Sequence, residues 1–130
     1  VVSSCRTAEL EKQAQMIKEQ GAEIARQRAE IEALQAGQQA EKKKLGDCNR
    51  AFRDYFERAQ TTADGDRAIA LYRDGVALCP DDDVAHYELG KLLAAQGLYR
   101  EAEREFETAL KINPAFTDAK ARLDALRKNR

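Results

Sequence analysis

Residues 83–116 read DVAHYELGKLLAAQGLYREAEREFETALKINPAF, and this stretch decides the fold. Its small residues Gly90, Ala102 and Ala109 lie where two antiparallel helices would need to approach closely, and its large residues Tyr99 and Phe106 fill the space between them. Pro114 removes a backbone donor and stops the second helix. The preceding stretch aligns with this one at an offset of about 34 residues. Phe52 pairs with His86, Tyr55 with Leu89, Ala63 with Gly97, Ala68 with Ala102, Tyr72 with Phe106, Gly75 with Ala109 and Pro80 with Pro114.

Leu89-Gly90, Gly97, Tyr99, Ala102, Phe106, Ala109 and Pro114 make the second unit, 83–116, resemble a tetratricopeptide repeat. The resemblance extends over residues 47–130 and implies an all-α stack of helical hairpins with a concave groove for peptides or partner proteins. The first repeat, 49–82, is divergent. It keeps Ala68, Tyr72 and Pro80 but places Phe56 where the family has a small residue, and Gly75 in place of the usual Ala would make room for that ring. Residues 117–130 read as the capping helix, with Ala119, Leu123 and Leu126 inward.

Two repeats and a cap are fewer than the three repeats such arrays usually need. In the implied hairpin, Cys48 and Cys79 lie at neighbouring helix ends, where a disulfide is reasonable; two separate buried thiols are the alternative. The family geometry places Arg50, Arg53, Glu57, Tyr87 and Lys91 on the groove side. Arg53 and Lys91 would attract an acidic segment or a C-terminal carboxylate, unless these five form an ordinary charged surface. Glu57 and Glu88 stand where a chaperone-binding carboxylate clamp has Asn, which argues against a cytosolic co-chaperone.

Residues 7–46 carry a different pattern. Leu10, Ile17, Ile24 and Ile31 recur every seven residues, Leu45 rejoins the stripe after Gln38, and Gln13, Gln20, Gln27 and Leu34 follow three residues behind. A strict heptad keeps one seam facing a partner, so the spacing predicts a self-associating coiled coil. A parallel trimer is the preferred assembly and a dimer the alternative. The stripe can also be assigned to the d positions, with Ala14, Gly21 and Arg28 at a. Gly46-Asp47 is expected to end this helix, with one uninterrupted helix as the competing reading.

The net charge is −1, so nothing global favours nucleic acid or an anionic surface, and Lys42-Lys43-Lys44 reads as a solvated helix face. No run approaches the ~18 apolar residues of a membrane span. Val2-Ser3-Ser4-Cys5 resembles the lipobox of bacterial lipoproteins, in which the Cys is lipidated. Residues 1–6 then read as a signal-peptide remnant, although a chance match is the alternative, and Arg6 after the Cys would suit outer-membrane sorting. A lipid on Cys5 and a Cys48–Cys79 bridge would account for all three cysteines and imply the oxidising periplasmic side of a bacterial cell envelope. The architecture is also similar to that of YbgF/CpoB-type periplasmic proteins, which join a trimeric coiled coil to C-terminal tetratricopeptide repeats.

No residue pattern points to catalysis. His86 is the single histidine and stands where a repeat helix packs, Asp81-Asp82-Asp83 reads as a turn with a helix N-cap, and glycine-rich phosphate loops and nucleophile elbows are absent. No metal or cofactor is expected. The sequence reads as a non-catalytic, membrane-tethered scaffold that oligomerises and presents repeat grooves to a protein partner. The alternatives are a structural subunit of a larger envelope machine or fibre, and a cytosolic adaptor.

Overall fold

The structure is a computed structural model describing residues 2–129, with Val2 described by its backbone alone. Val1 of the 1–6 segment expected to be a signal-peptide remnant and Arg130 of the 117–130 segment lie outside the described residues. The elements run α1 (Val2–Ala51), a π-helical turn (Phe52–Phe56), α2 (Glu57–Gln60), α3 (Gly65–Leu78), α4 (Asp83–Ala95), α5 (Tyr99–Ile112) and α6 (Thr117–Lys128), so the described residues are all-α. The chain divides between Lys42 and Lys43 into two units.

The first unit is helical throughout its described length, as its Ala, Glu, Gln, Lys and Arg content favours. Glu23 bonds Arg26 and Gln27, and Gln15 bonds Glu19, all at helical spacing. Residues 2–6, within the segment expected to be a signal-peptide remnant, are helical. No Gly or Pro interrupts them, and the Thr7 hydroxyl donates to the Ser3 carbonyl at 2.8 Å, one turn back.

The expected stop at Gly46-Asp47 is also absent, because helix continues to Ala51. A mid-helix glycine costs only about 1 kcal/mol relative to Ala. Gly46 has no positive φ, so it forms no left-handed cap. The Asp47 carboxylate caps nothing; it pairs with Lys43 at 2.8 Å and Arg50 at 3.3 Å, and the Lys43 bond above all holds it below the usual carboxylate range.

In the second unit, the end of α1, the π-turn and α2 form one arm of a hairpin whose other arm is α3. Helices α4 and α5 form the next hairpin, and α6 packs on α5. Local chemistry sets each boundary. The Asp64 and Asp82 side chains accept backbone N–H bonds at the starts of α3 and α4. Gly97, at φ 80°, ends α4: its N–H bonds the Ala94 carbonyl and the Leu98 N–H bonds that of Leu93, the two bonds of a Schellman cap. Pro80 and Pro114 each follow a helix by two residues.

The two hairpins close on opposite size patterns. In the second, Phe106 of α5 is fully buried against α4, and a Cβ on Gly90 would overlap its ring. In the first, the large ring comes from the other arm: Phe56 stacks on Tyr72 at 5.8 Å, and a Cβ on Gly75 of α3 would overlap it. Small and large residues have exchanged helices, so Gly75 does give Phe56 its space. The π-turn completes the arrangement. Ala51 and Phe56, five residues apart, are both buried, and a turn closed by i→i+5 bonds brings such a pair to one face.

His86 is buried within a polar network as well as by packing. Its Nδ1 lies 2.6 Å from a Glu105 carboxylate oxygen and its Nε2 2.7 Å from the Pro80 carbonyl. Both partners are acceptors, so only the doubly protonated ring satisfies both. Burial alone would depress the pKa. The Glu105 and Pro80 bonds, with the charges of Glu105 and Asp82, outweigh it and raise the pKa above the ordinary 6.5. The folded state therefore holds this proton more tightly than the unfolded chain. The resulting stabilisation is complete below about pH 6.5 and is lost as pH rises through the folded-state value. Melting temperature should accordingly fall across that interval, and His86→Gln should flatten the profile. Parallel slopes in the two proteins would refute this assignment.

Candidate functional site

A cleft of about 520 Å³ opens in the second unit, between the π-turn and the start of α4. Phe52 and Phe56 line it from one side, Val84 and Ala85 from the other, and Tyr72 with the Cys48–Cys79 pair lies between them. Phe56, Tyr72, Cys79 and Ala85 are buried, whereas Phe52 and Val84 each keep 49% of their surface exposed. Apolar side chains left open in a concavity are the usual mark of a binding surface.

The cleft also carries acid. Asp81, Asp82, Asp83 and Glu88 lie along it. Asp81 pairs with Lys44 at 2.6 Å and Glu88 with Lys91 at 3.0 Å, while Asp82 caps α4 and Asp83 accepts from Asn113. Burial, followed by the charges of Glu88 and Asp82, pushes the Tyr72 hydroxyl up to about 12.

A disulfide joins Cys48 of α1 to Cys79 at the end of α3, with a Cα–Cα separation of 4.7 Å. With the Lys44–Asp81 ion pair, it ties residues 44–48 to the turn between α3 and α4.

The five residues assigned to the groove separate into two sets. Arg50, Arg53 and Glu57 are exposed, with Arg50 held by Asp47. Tyr87 and Lys91 are half-buried. The Tyr87 ring packs on Phe106 at 5.9 Å and Phe116 at 4.9 Å, and the Lys91 ammonium sits 4.8 Å from its centre. None of the five lines the cleft described above. Sequence reasoning passed over Phe52 and Val84. The available signal was the alignment of Phe52 with His86, an apolar ring where the other hairpin has a polar group, but the π-turn that leaves Phe52 open has no sequence mark.

In the first unit, Leu10, Ile17, Ile24, Ile31 and Leu34 all face solvent, with Ile17 69% and Ile24 50% exposed. Cys5 is a free, exposed thiol. Among the described residues no group of three or more His, Cys, Asp or Glu is placed to hold a metal ion, and no helix is long and apolar enough to cross a membrane.

Residues 84–116 match the family profile described as Tetratricopeptide repeat. This stretch is a tetratricopeptide repeat. The fold is a non-catalytic repeat that generally serves protein–protein interaction, and here α4 and α5 supply its two helices. A 48-residue stretch, 37% of the chain, is 38% identical to part of the Protein O-mannosyl-transferase F38B6.6 of Caenorhabditis elegans. The chain spans 7% of that relative's length, and the transferase activity in its name is said of that protein alone.

Proposed function

We propose that the chain is a non-catalytic adaptor of the bacterial cell envelope: lipid on Cys5 tethers it, the first unit joins copies of it through a coiled coil, and the second unit presents its repeats to a protein partner. The heptad stripe carries this reading. Aliphatic side chains recurring every seven residues on an exposed helix leave that helix little reason to stay folded unless another strand covers them. With the stripe at a, Glu9, Glu23 and Glu30 occupy g positions and Arg28 an e position. Parallel strands set Glu23 against Arg28 of the neighbour, whereas antiparallel strands would set glutamate against glutamate, so the charges favour a parallel assembly. A parallel trimer agrees with the Ile and Gln layers, and a dimer is the alternative. Joining several weakly binding heads on one stalk would raise avidity without new contacts.

The Val2-Ser3-Ser4-Cys5 motif and the exposure of Cys5 support the tether, and the cysteine bridge suits the periplasmic side of the envelope, with the outer membrane as the anchoring surface. Arg50, Arg53, Glu57, Tyr87 and Lys91 remain the residues proposed for the groove side of the heads.

Sedimentation equilibrium of the full chain should give a discrete trimer or dimer, and the pair Ile17→Asn and Ile24→Asn should reduce it to monomer with loss of helical signal from the first unit. A monomeric unmodified chain would end the assembly reading, and an open polymer would favour the structural-subunit alternative. The mass of protein isolated from its native host should include a lipid on Cys5; a bare thiol there would remove the tether.

A further inference from the structure

We propose that the cleft between the π-turn and α4 binds a short partner segment in which a large apolar side chain stands beside lysine or arginine. The inference rests on the adaptor reading and specifies the chemistry of its partner.

Two independent features of the cleft select that chemistry. The first is apolar surface. Phe52 and Val84 flank a concavity of about 520 Å³, are both half-exposed, and continue inward into Phe56, Tyr72 and the disulfide. Such a space accepts one large side chain of a ligand and desolvates it against aromatic and sulfur surfaces. The second is charge. Four carboxylates line the cleft, and no lysine or arginine is among its lining residues. Lys44 and Lys91, at its edge, pair with Asp81 and Glu88. Asp82 and Asp83 are held by neutral donors, a backbone N–H and the Asn113 amide, so their charges are uncompensated by these bonds. The cleft thus has a net negative field, which also contributes to the raised pKa of Tyr72. Basic groups flanking an apolar anchor would complete this arrangement, and acidic ones would be repelled. The local backbone agrees: π-turns occur frequently at functional positions, and this one leaves Phe52 open while Phe56 is buried.

Panning short random peptides against the oxidised full chain, followed by fluorescence anisotropy on synthetic copies of the enriched sequences, tests the assignment. Enriched peptides should share a Leu, Met or aromatic residue next to Lys or Arg. Phe52→Ser and Val84→Ser should each weaken them by about tenfold, an effect typical of a central anchor contact. Both sites are half-exposed, and unchanged far-UV circular dichroism would confirm that the variants fold. Glu88→Lys provides an independent arm and should weaken the same peptides by opposing their charge. Acidic peptides, or binding indifferent to all three substitutions, would overturn the cleft assignment and leave the adaptor reading standing. Enrichment of no peptide at all would likewise overturn the cleft assignment, whereas the adaptor reading falls only on the sedimentation and mass measurements.

Discussion

Replacing Phe106 with alanine should destabilise the second unit by about 3–5 kcal/mol, the usual range for deleting a fully buried phenylalanine ring. Phe106 has no exposed surface and makes an aromatic contact with Tyr87. The cavity would be difficult to refill, because Gly90 opposite has no side chain and Ala102 and Ala109, on the same helix, carry only methyl groups. The loss therefore combines the transfer energy of the ring with an open void. For a unit of this size a shift in melting temperature on the order of 15–25 °C should follow. Urea unfolding followed by circular dichroism at a helix-sensitive wavelength provides the measurement. A loss below about 1 kcal/mol would mean that α4 and α5 can close over the space, contrary to the packing described.

The second large effect belongs to the cysteine pair. Cys48 and Cys79 are 31 residues apart in sequence. In the chain-entropy account a bridge closing such a loop contributes about 3–4 kcal/mol. Among the described residues the array it supports comprises two hairpins and α6, fewer units than stacking alone usually requires. Reductant, or Cys48→Ser with Cys79→Ser, should lower the melting temperature by an amount comparable to Phe106→Ala, but at a different location. Hydrogen exchange should show amides of residues 48–79 losing protection first, while α4 and α5, which pack on each other through Phe106, retain theirs. Uniform loss across both hairpins, or none, would contradict a bridge that serves chiefly the first. Loss of the apolar–basic peptides on reduction should accompany it, since the sulfurs line the cleft.

The second hairpin was legible in sequence because its determinants are local. Gly97 caps α4, Pro114 follows α5, and Gly90 faces Phe106, each with the residue type that its backbone or packing position demands. The first hairpin was legible only in part. Phe56 at a position expected to be small was recognisable as an anomaly, and Gly75 as its complement, but the π-turn that reconciles them depends on a long-range fit. The helix end expected at Gly46 was misread for a related reason: glycine and aspartate mark a terminus only where the chain has cause to turn, and here Asp47 satisfies its charge along the helix. The heptad of the first unit was plain in the spacing of its isoleucines, since that pattern needs no tertiary information. The acidic, apolar cleft could not be read, because Phe52, Glu88 and the disulfide come together only after three helices have packed.

The exchanged ring-and-glycine pairs carry a consequence for the modularity of the array. Arms from the two hairpins are poorly matched to each other. The arm bearing Phe56 set against α5 would press its ring on the methyl of Ala109, which aligns with Gly75, while the arm bearing Gly90 set against α3 would meet Tyr72 in place of Phe106. Each first arm therefore fits its own second arm better than the other hairpin's, which biases the folding chain against crossing its two hairpins.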